Sequence, residues 1–339
     1  MSGAPALLEV VNGGFGNSIQ DAGRFGFRHM GITVSGCLDR QLARCANALV
    51  GGDEANACIE IRAIGPTFAV REGRVRVALA GELSATVRPH RGTMTPLQAW
   101  NSATLNTGDV LEVGKLAGGT AYLAVSGGIA TSLQLGSRST YQRALIGGVD
   151  GRRLTAGNLL PCASIDENDA VEYQAPPFLH PDGSIHVMLG PQDGHFQPAA
   201  IAALLNSEYR VTPQLDRMGA RLEGAPLVHI SPEAADIVSD GVTPGVIQVP
   251  GNGQPIILLA DCQTVGGYPK IATVISADLP RLGQLRPGQT LRFAAVDARQ
   301  AGRALDERDA QWAGWLAMVT RGVPDTDAPD DDEFIWIPL

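Results

Sequence analysis

Side chains able to do chemistry gather in glycine-rich stretches of this 339-residue chain. In the densest, residues 260–270, Asp261, Gln263, Tyr268 and Lys270 flank a Gly266-Gly267 turn, beside the apolar run 256–260. Gln248 lies just upstream in Ile247-Gln248-Val249-Pro250-Gly251. The other stretches are Ser18-Ile19-Gln20-Asp21-Ala22-Gly23-Arg24, Ser35-Gly36-Cys37-Leu38-Asp39, Gly136-Ser137-Arg138-Ser139-Thr140, Gly190-Pro191-Gln192-Asp193 and Asp216-Arg217-Met218-Gly219. Glycine lets backbone approach a ligand closely, and loops on a rigid β scaffold commonly carry sites. Arginine beside carboxamide and carboxylate suits a small anionic or amide-bearing ligand. Any single member also reads as a turn cap or a surface ion pair; residues 260–270 depart furthest from that reading.

Lys270 stands out for a second reason. Of 26 basic residues, only Lys115 and Lys270 are lysines. A lysine kept in such a chain reads either as chance survival or as a place where a compact point charge is needed and a planar guanidinium does not serve, and the surroundings of Lys270 favour the second. Lys115, in Val113-Gly114-Lys115-Leu116, reads as the end of a hairpin strand.

The elements that must position these groups are short. With 41 Gly and 22 Pro, the chain favours many strands joined by tight turns. Strand-like segments occupy 6–11, 75–80, 110–113, 121–125, 185–189, 246–249, 256–260, 271–275 and 290–294, with a hairpin signal at Gly118-Gly119. Gly-x-x-Leu recurs at Gly108, Gly157 and Gly288, each time as a turn leading into a strand. Helical periodicity is confined to 40–49, 198–205 and 297–320. Asp39 therefore carries two readings of equal weight, as N-cap of the first helix and as a ligand-binding carboxylate. The proline-rich stretch 175–183 reads as a linker, dividing the chain into β domains at 1–174 and 184–297, with a helix and acidic tail at 298–339.

Composition excludes several classes. A net charge of −9 argues against nucleic-acid binding. No apolar run approaches the ~18 residues of a membrane span. The five cysteines form no C-x-x-C pair and no histidine pair has ligand spacing, so neither a disulfide framework nor a metal site is expected. The N-terminus lacks a signal peptide, which makes the cytoplasm the expected compartment. A phosphate-binding P-loop, a dinucleotide fingerprint, a nucleophile elbow, the amidase serine run and H-E-x-x-H are all missing. The acidic groups from Asp325 to Glu333 read as a solvated segment, and the apolar end from Phe334 to Leu339 is open to docking on the chain itself or on another polypeptide.

The stretches quoted above, with Asp216-Arg217-Met218-Gly219-x-Arg221-Leu222-Glu223-Gly224, Gln248-Val249-Pro250-x-x-Gly253-Gln254-Pro255 and Gln263-Thr264-x-Gly266-Gly267-Tyr268-Pro269-Lys270-Ile271-Ala272, resemble the KipA family. This family is also called allophanate hydrolase subunit 2, or the C and D part of a biotin-dependent carboxyltransferase. The resemblance runs from about Leu8 to Phe293 and leaves the tail uninterpreted. It implies a mainly β chain of two tandem cyclophilin-like β-barrel domains with few short helices. It implies work in a complex with a KipI-like partner and a LamB/YcsF-like partner, as in ATP-dependent 5-oxoprolinase, whose C subunit is the best-defined stand-alone member. ATP is then used by the complex, with the chain that binds it left open and a site at the partner interface among the options, and no biotin is attached here, because neither lysine follows a methionine. The alternatives are a carboxyltransferase component of a urea-type carboxylase and a KipA-like regulatory binding protein. On this reading Lys270 stabilises charge on a carbonyl or phosphoryl oxygen, and Asp261 and Gln263 orient substrate N–H and C=O. Arg24, Arg138 or Arg217 holds a carboxylate or phosphate, and Asp39, Gln192, Gln248 and Tyr268 complete the set that binds a small amide substrate.

Overall fold

The computed structural model describes residues 5–166, 169, 171–324 and 334–338. They fall into two compact units. The first comprises the described residues of Met1–Arg24, Arg40–Leu179 and Gln311–Leu339; the second comprises Phe25–Asp39 and His180–Ala310. The boundary at Leu179 lies inside the proline-rich 175–183, whereas residues 25–39, which the sequence division places in the first domain, cluster with the second unit.

Besides the three-stranded sheet of Glu172–Gln174, Thr320–Pro324 and Phe334–Pro338, the first unit holds two large antiparallel sheets. One runs in the order Leu159–Ala163, Pro5–Asn12, Thr67–Glu72, Val110–Val113, Ser84–Arg88, Thr95–Gln98; the other Ser18–Gln20, Cys58–Ile61, Ala121–Val125, Arg74–Ala80, Ser102–Asn106. Period-2 patterning explains the faces. Ala6, Leu8 and Val10 of the first strand are buried in the core beside Phe68, Val77 and Leu123. The Ala121–Val125 strand is buried along its whole length, because the helix Arg40–Ala48 covers the side away from that core. Its apolar residues Leu42, Cys45 and Ala46 are the ones that close up there.

In addition to a two-stranded ribbon of Asp240–Gly241 and Val265–Gly266, the second unit is built on an eight-stranded sheet. Its order is Thr290–Leu291, Tyr209–Leu215, Gly219–Gly224, Ile256–Leu258, Val246–Gln248, Lys270–Val274, Ile185–Leu189, Phe293–Ala295. The two edge strands are separated in sequence by Arg292 alone, so one extended segment borders both edges and the sheet curls into a nearly closed barrel. Closure of this kind removes most of the unpaired edge. Inward residues Val187, Val211, Leu222, Ile247, Ile257, Ile271 and Phe293 fill it, capped by Ala200 and Leu204 of helix Pro198–Asn206.

The architecture is mainly β, as expected. Among the described residues the helices are Arg40–Ala48, Pro198–Asn206, the one-turn Leu279–Leu282 and the longer Ala298–Leu316, so three of the expected helical stretches form within a few residues of their expected bounds. The Gly-x-x-Leu turns share one cause: Gly108, Gly157 and Gly288 have φ of 95°, 85° and 87°, left-handed values that a side chain disfavours, and each precedes a strand. All five cysteines are buried. At the C-terminus, Phe334–Pro338 pairs antiparallel with Thr320–Pro324, which pairs with Glu172–Gln174, so the apolar end docks on its own chain. The acidic run 325–333 lies outside the described residues. No helix of the described residues is long and apolar enough to cross a membrane.

Ile257 is fully buried at the centre of the second core. Its truncation in Ile257→Ala leaves a cavity and is expected to cost about 3 kcal/mol, read as a lowered midpoint of urea unfolding.

Candidate functional site

Lys270 opens the strand Lys270–Val274, opposite Gln248 on the neighbouring strand. The register slips between Ile247 and Gln248, a bulge-type irregularity of the kind that re-aims side chains next to sites. The lysine side chain is 6% exposed. Its ammonium donates to Asp240 Oδ2 and to the Gly241 carbonyl, the latter at 3.0 Å. Its backbone N–H donates to Gln192 Oε1 at 3.2 Å. Gln248 Nε2 donates to the Tyr268 carbonyl at 2.9 Å, and Gln263 Nε2 donates to Gln248 Oε1 at 3.4 Å. Tyr268 itself is exposed. A Cβ at Gly266 would lie 2.7 Å from Gln248 Nε2, so a side chain there would displace the Gln248 carboxamide. The structure thus brings Gln192, Gln248, Gln263, Tyr268 and Lys270 into one amide-rich cluster around the Lys270 side chain. Such a cluster can donate to a carbonyl oxygen, accept from an amide N–H and stabilise developing negative charge.

Asp240 is the member that sequence reasoning missed. In Ser239-Asp240-Gly241 it reads as an ordinary Asp-Gly turn, which is the only signal it offers. The hydrogen bond from Lys270, then that from the Gly241 N–H, holds its carboxyl below the usual aspartate value.

Arg217 and Asp261, both expected to face the substrate, meet each other in the structure. Arg217 Nε and Nη2 donate to Asp261 Oδ2 and Oδ1, both at 2.9 Å, and Nη2 also donates to the Gly36 carbonyl at 2.7 Å. This bidentate pair ties three separate stretches of the second unit together. Asp216 Oδ1 prepares the turn by accepting the N–H groups of Met218 and Gly219 at 2.7 and 3.1 Å. Next to the pair, burial pushes the Cys262 thiol up to about 11, which keeps it an inert thiol at neutral pH. Asp39 is fully buried, with Oδ2 2.6 Å from His180 Nε2 and accepting from Gln284 Nε2 at 2.7 Å.

Arg24 and Arg138 belong to the first unit, whereas the Lys270 cluster belongs to the second. Arg24 is fully buried and donates to the carbonyls of Gln134 and Ser139 at 2.9 and 3.0 Å. Asp21 accepts from Ser137 Oγ, Ser139 Oγ, the Gly23 N–H and the Arg138 N–H at 2.6, 2.5, 2.9 and 2.6 Å. Arg138 Nε donates to the Thr131 carbonyl at 2.8 Å. The Gln20-to-Arg24 and Gly136-to-Thr140 motifs therefore form one polar knot, in which a buried carboxylate and a buried guanidinium order backbone. Among the described residues no group of three or more His, Cys, Asp or Glu is placed to hold a metal ion. A surface groove of about 370 Å³ between Gln214, Arg221, Glu223 and Gln254 holds none of the expected site residues.

Two outcomes follow from this geometry. Asp261→Asn leaves Arg217 without its carboxylate and is expected to cost about 3 kcal/mol in chemical denaturation, the usual size for breaking a largely buried pair. The Asp240 carboxyl stays ionised through the ordinary aspartate range, so the Lys270–Asp240 pair is present at neutral pH and lost only as the pH falls through the lowered value. A carboxyl ¹³C NMR titration reads that value, and Lys270→Met is expected to move it back up.

Comparison with known proteins gives this geometry a setting. Residues 30–295 match the carboxyltransferase domain family, subdomain A and B. The chain is 35% identical over 306 residues to the 5-oxoprolinase C subunit of Escherichia coli (strain K12), a match that covers 89% of this chain and 95% of that protein. It is 34% identical over 298 residues to the 5-oxoprolinase C subunit of Haemophilus influenzae, covering 88% and 94%. The crystal structure of Kluyveromyces lactis urea carboxylase superposes with a TM-score of 0.81 at 27% identity, over 92% of this chain but only 29% of that larger one. The lettering A and B replaces the C and D expected from the sequence, and the family is otherwise the expected one. The chain is a member of the carboxyltransferase domain family.

Proposed function

We propose that this chain is the C subunit of an ATP-dependent 5-oxoprolinase, which opens 5-oxo-L-proline to L-glutamate. The observation that carries the reading is the 35% identity across 95% of a protein named as that subunit. The Lys270 cluster supports it chemically. A lactam is a poor electrophile, because its nitrogen lone pair is delocalised into the carbonyl. Cleavage needs charge stabilised on the oxygen as the carbonyl carbon becomes tetrahedral. Lys270 supplies that charge, while Gln248 and Gln263 offer an acceptor for the ring N–H and donors for the C=O. Two waters are consumed: one adds its oxygen to the carbonyl carbon as the C–N bond breaks and the ring nitrogen takes a proton, leaving glutamate, and the other enters as ATP is converted to ADP and phosphate. We place the ATP site at the level of the complex, formed with a KipI-like partner and a LamB/YcsF-like partner, in the cytoplasm. No biotin is carried by this chain in our reading.

A second reading has its own observation. The superposition on urea carboxylase supports a carboxyltransferase component that uses biotin carried on another chain, with a urea-like acceptor in the same amide cluster. A regulatory role of the KipA kind, which needs partner binding without turnover, has no comparable observation behind it.

Glutamate release from 5-oxoproline and ATP separates these readings. Turnover is expected only when the chain is mixed with its KipI-like and LamB/YcsF-like partners, and Lys270→Ala is expected to lower it by about two orders of magnitude or more while the complex still assembles. Folded, bound partners without turnover, together with carboxyl transfer in a biotin-dependent assay, would replace the first reading with the second.

A further inference from the structure

The Lys270 ion pair is lopsided. The lysine side chain is 6% exposed, yet the aspartate side chain it meets is 56% exposed. Asp240 reaches it from a ribbon: the two-residue strand Asp240–Gly241 pairs with Val265–Gly266. The pairing continues through the Val242 N–H to the Thr264 carbonyl at 3.1 Å and the Ile237 N–H to the Gly267 carbonyl at 2.8 Å. Arg28 clamps the base of the ribbon, donating from Nη2 to the carbonyls of Val242 and Gln263, the latter at 3.0 Å. The ribbon delivers two acceptors to one ammonium, Asp240 Oδ2 and the Gly241 carbonyl. The other carboxylate oxygen, Oδ1, is held by the Gly241 N–H at 2.7 Å, so the carboxylate's orientation is set by its own strand. On Ile185–Leu189 and Asp193–His195, which pack against the Lys270 strand, the titratable side chains are His186, Asp193 and His195. His186 is engaged by Asp278 at 2.9 Å and His195 by the Ala234 carbonyl at 3.0 Å.

We infer that Asp240 is a positioning residue for Lys270: the ribbon fixes the ammonium in place, as a charged group, without Asp240 taking part in the reaction. The inference rests on the reading of Lys270 as the residue that stabilises charge on the substrate carbonyl. Its physical basis is that a cation drawn out of water needs a counter-charge. A carboxylate that keeps part of its own hydration supplies one at a lower desolvation cost than a fully buried partner. An oriented ammonium also has less reorganisation to do when negative charge develops in front of it.

The two-lysine composition makes this testable on the intact chain. Brief labelling with acetic anhydride, read by mass spectrometry, compares Lys270 with the exposed Lys115 as internal reference. Lys270 is expected to react more slowly than Lys115 in the unaltered chain. Asp240→Asn keeps the shape and removes the charge, and is expected to raise the Lys270 to Lys115 ratio about tenfold, the effect of losing one close counter-charge. Asp240→Glu is expected to stay near the original ratio. An unchanged ratio in Asp240→Asn, with an unaltered circular dichroism spectrum, overturns the inference. In the assembled enzyme of three different chains, Asp240→Asn is expected to lower kcat about tenfold with KM within about twofold, the split of a group that acts through Lys270; unchanged kcat overturns the positioning role. Full turnover by Lys270→Met, alongside a raised labelling ratio in Asp240→Asn, overturns the functional reading instead and leaves the hold of Asp240 on the ammonium standing.

Discussion

One extended segment, residues 290–295, borders both edges of the second unit's sheet, and that near-closure is the constraint on which the Lys270 cluster depends. An open sheet could slide its strands by a residue and turn every side chain over. A curled sheet with a filled interior cannot do so without expelling Ile247, Ile257 and Ile271 from the core. Register is therefore held by apolar packing on one face. The polar groups at the strand ends inherit the precision: Gln248 and Lys270 are opposite one another because the isoleucines beside them are locked.

Buried charge is the second organising rule, and it is met the same way throughout. Asp21 collects four donors, Arg24 two carbonyls, Asp39 an imidazole and an amide, and Arg217 and Asp261 satisfy each other in a fork. Each of these is expensive to leave unpaired inside a protein, and each in consequence ties together loops that have no regular structure of their own. Lys270 differs in taking its carboxylate from an exposed ribbon.

The glycine-rich stretches look alike in the sequence and are of two kinds in the structure. Gln20 to Arg24 and Gly136 to Thr140 make a knot of internal hydrogen bonds in the first unit, whereas residues 260–270 with Gln192 and Gln248 make an amide cluster around a cation in the second. The family match over residues 30–295 takes in Gly136 to Thr140 of the knot and the whole amide cluster.

The sequence by itself determined what local physics controls. Strand periodicity, the left-handed turns at Gly108, Gly157 and Gly288, the three helical stretches and the density of polar groups around Gly266-Gly267 are set by neighbours a few residues away, and they were legible. Only the tertiary structure decided which charges pair. Lys270 meets Asp240 across 30 residues and Arg217 meets Asp261 across 44, and residues 25–39 join the second unit although most of the N-terminal half lies in the first. Composition and spacing cannot supply those partners, because an ion pair depends on strand register and sheet curvature, and these are fixed by the packing of the whole core and not by the residues that form the pair.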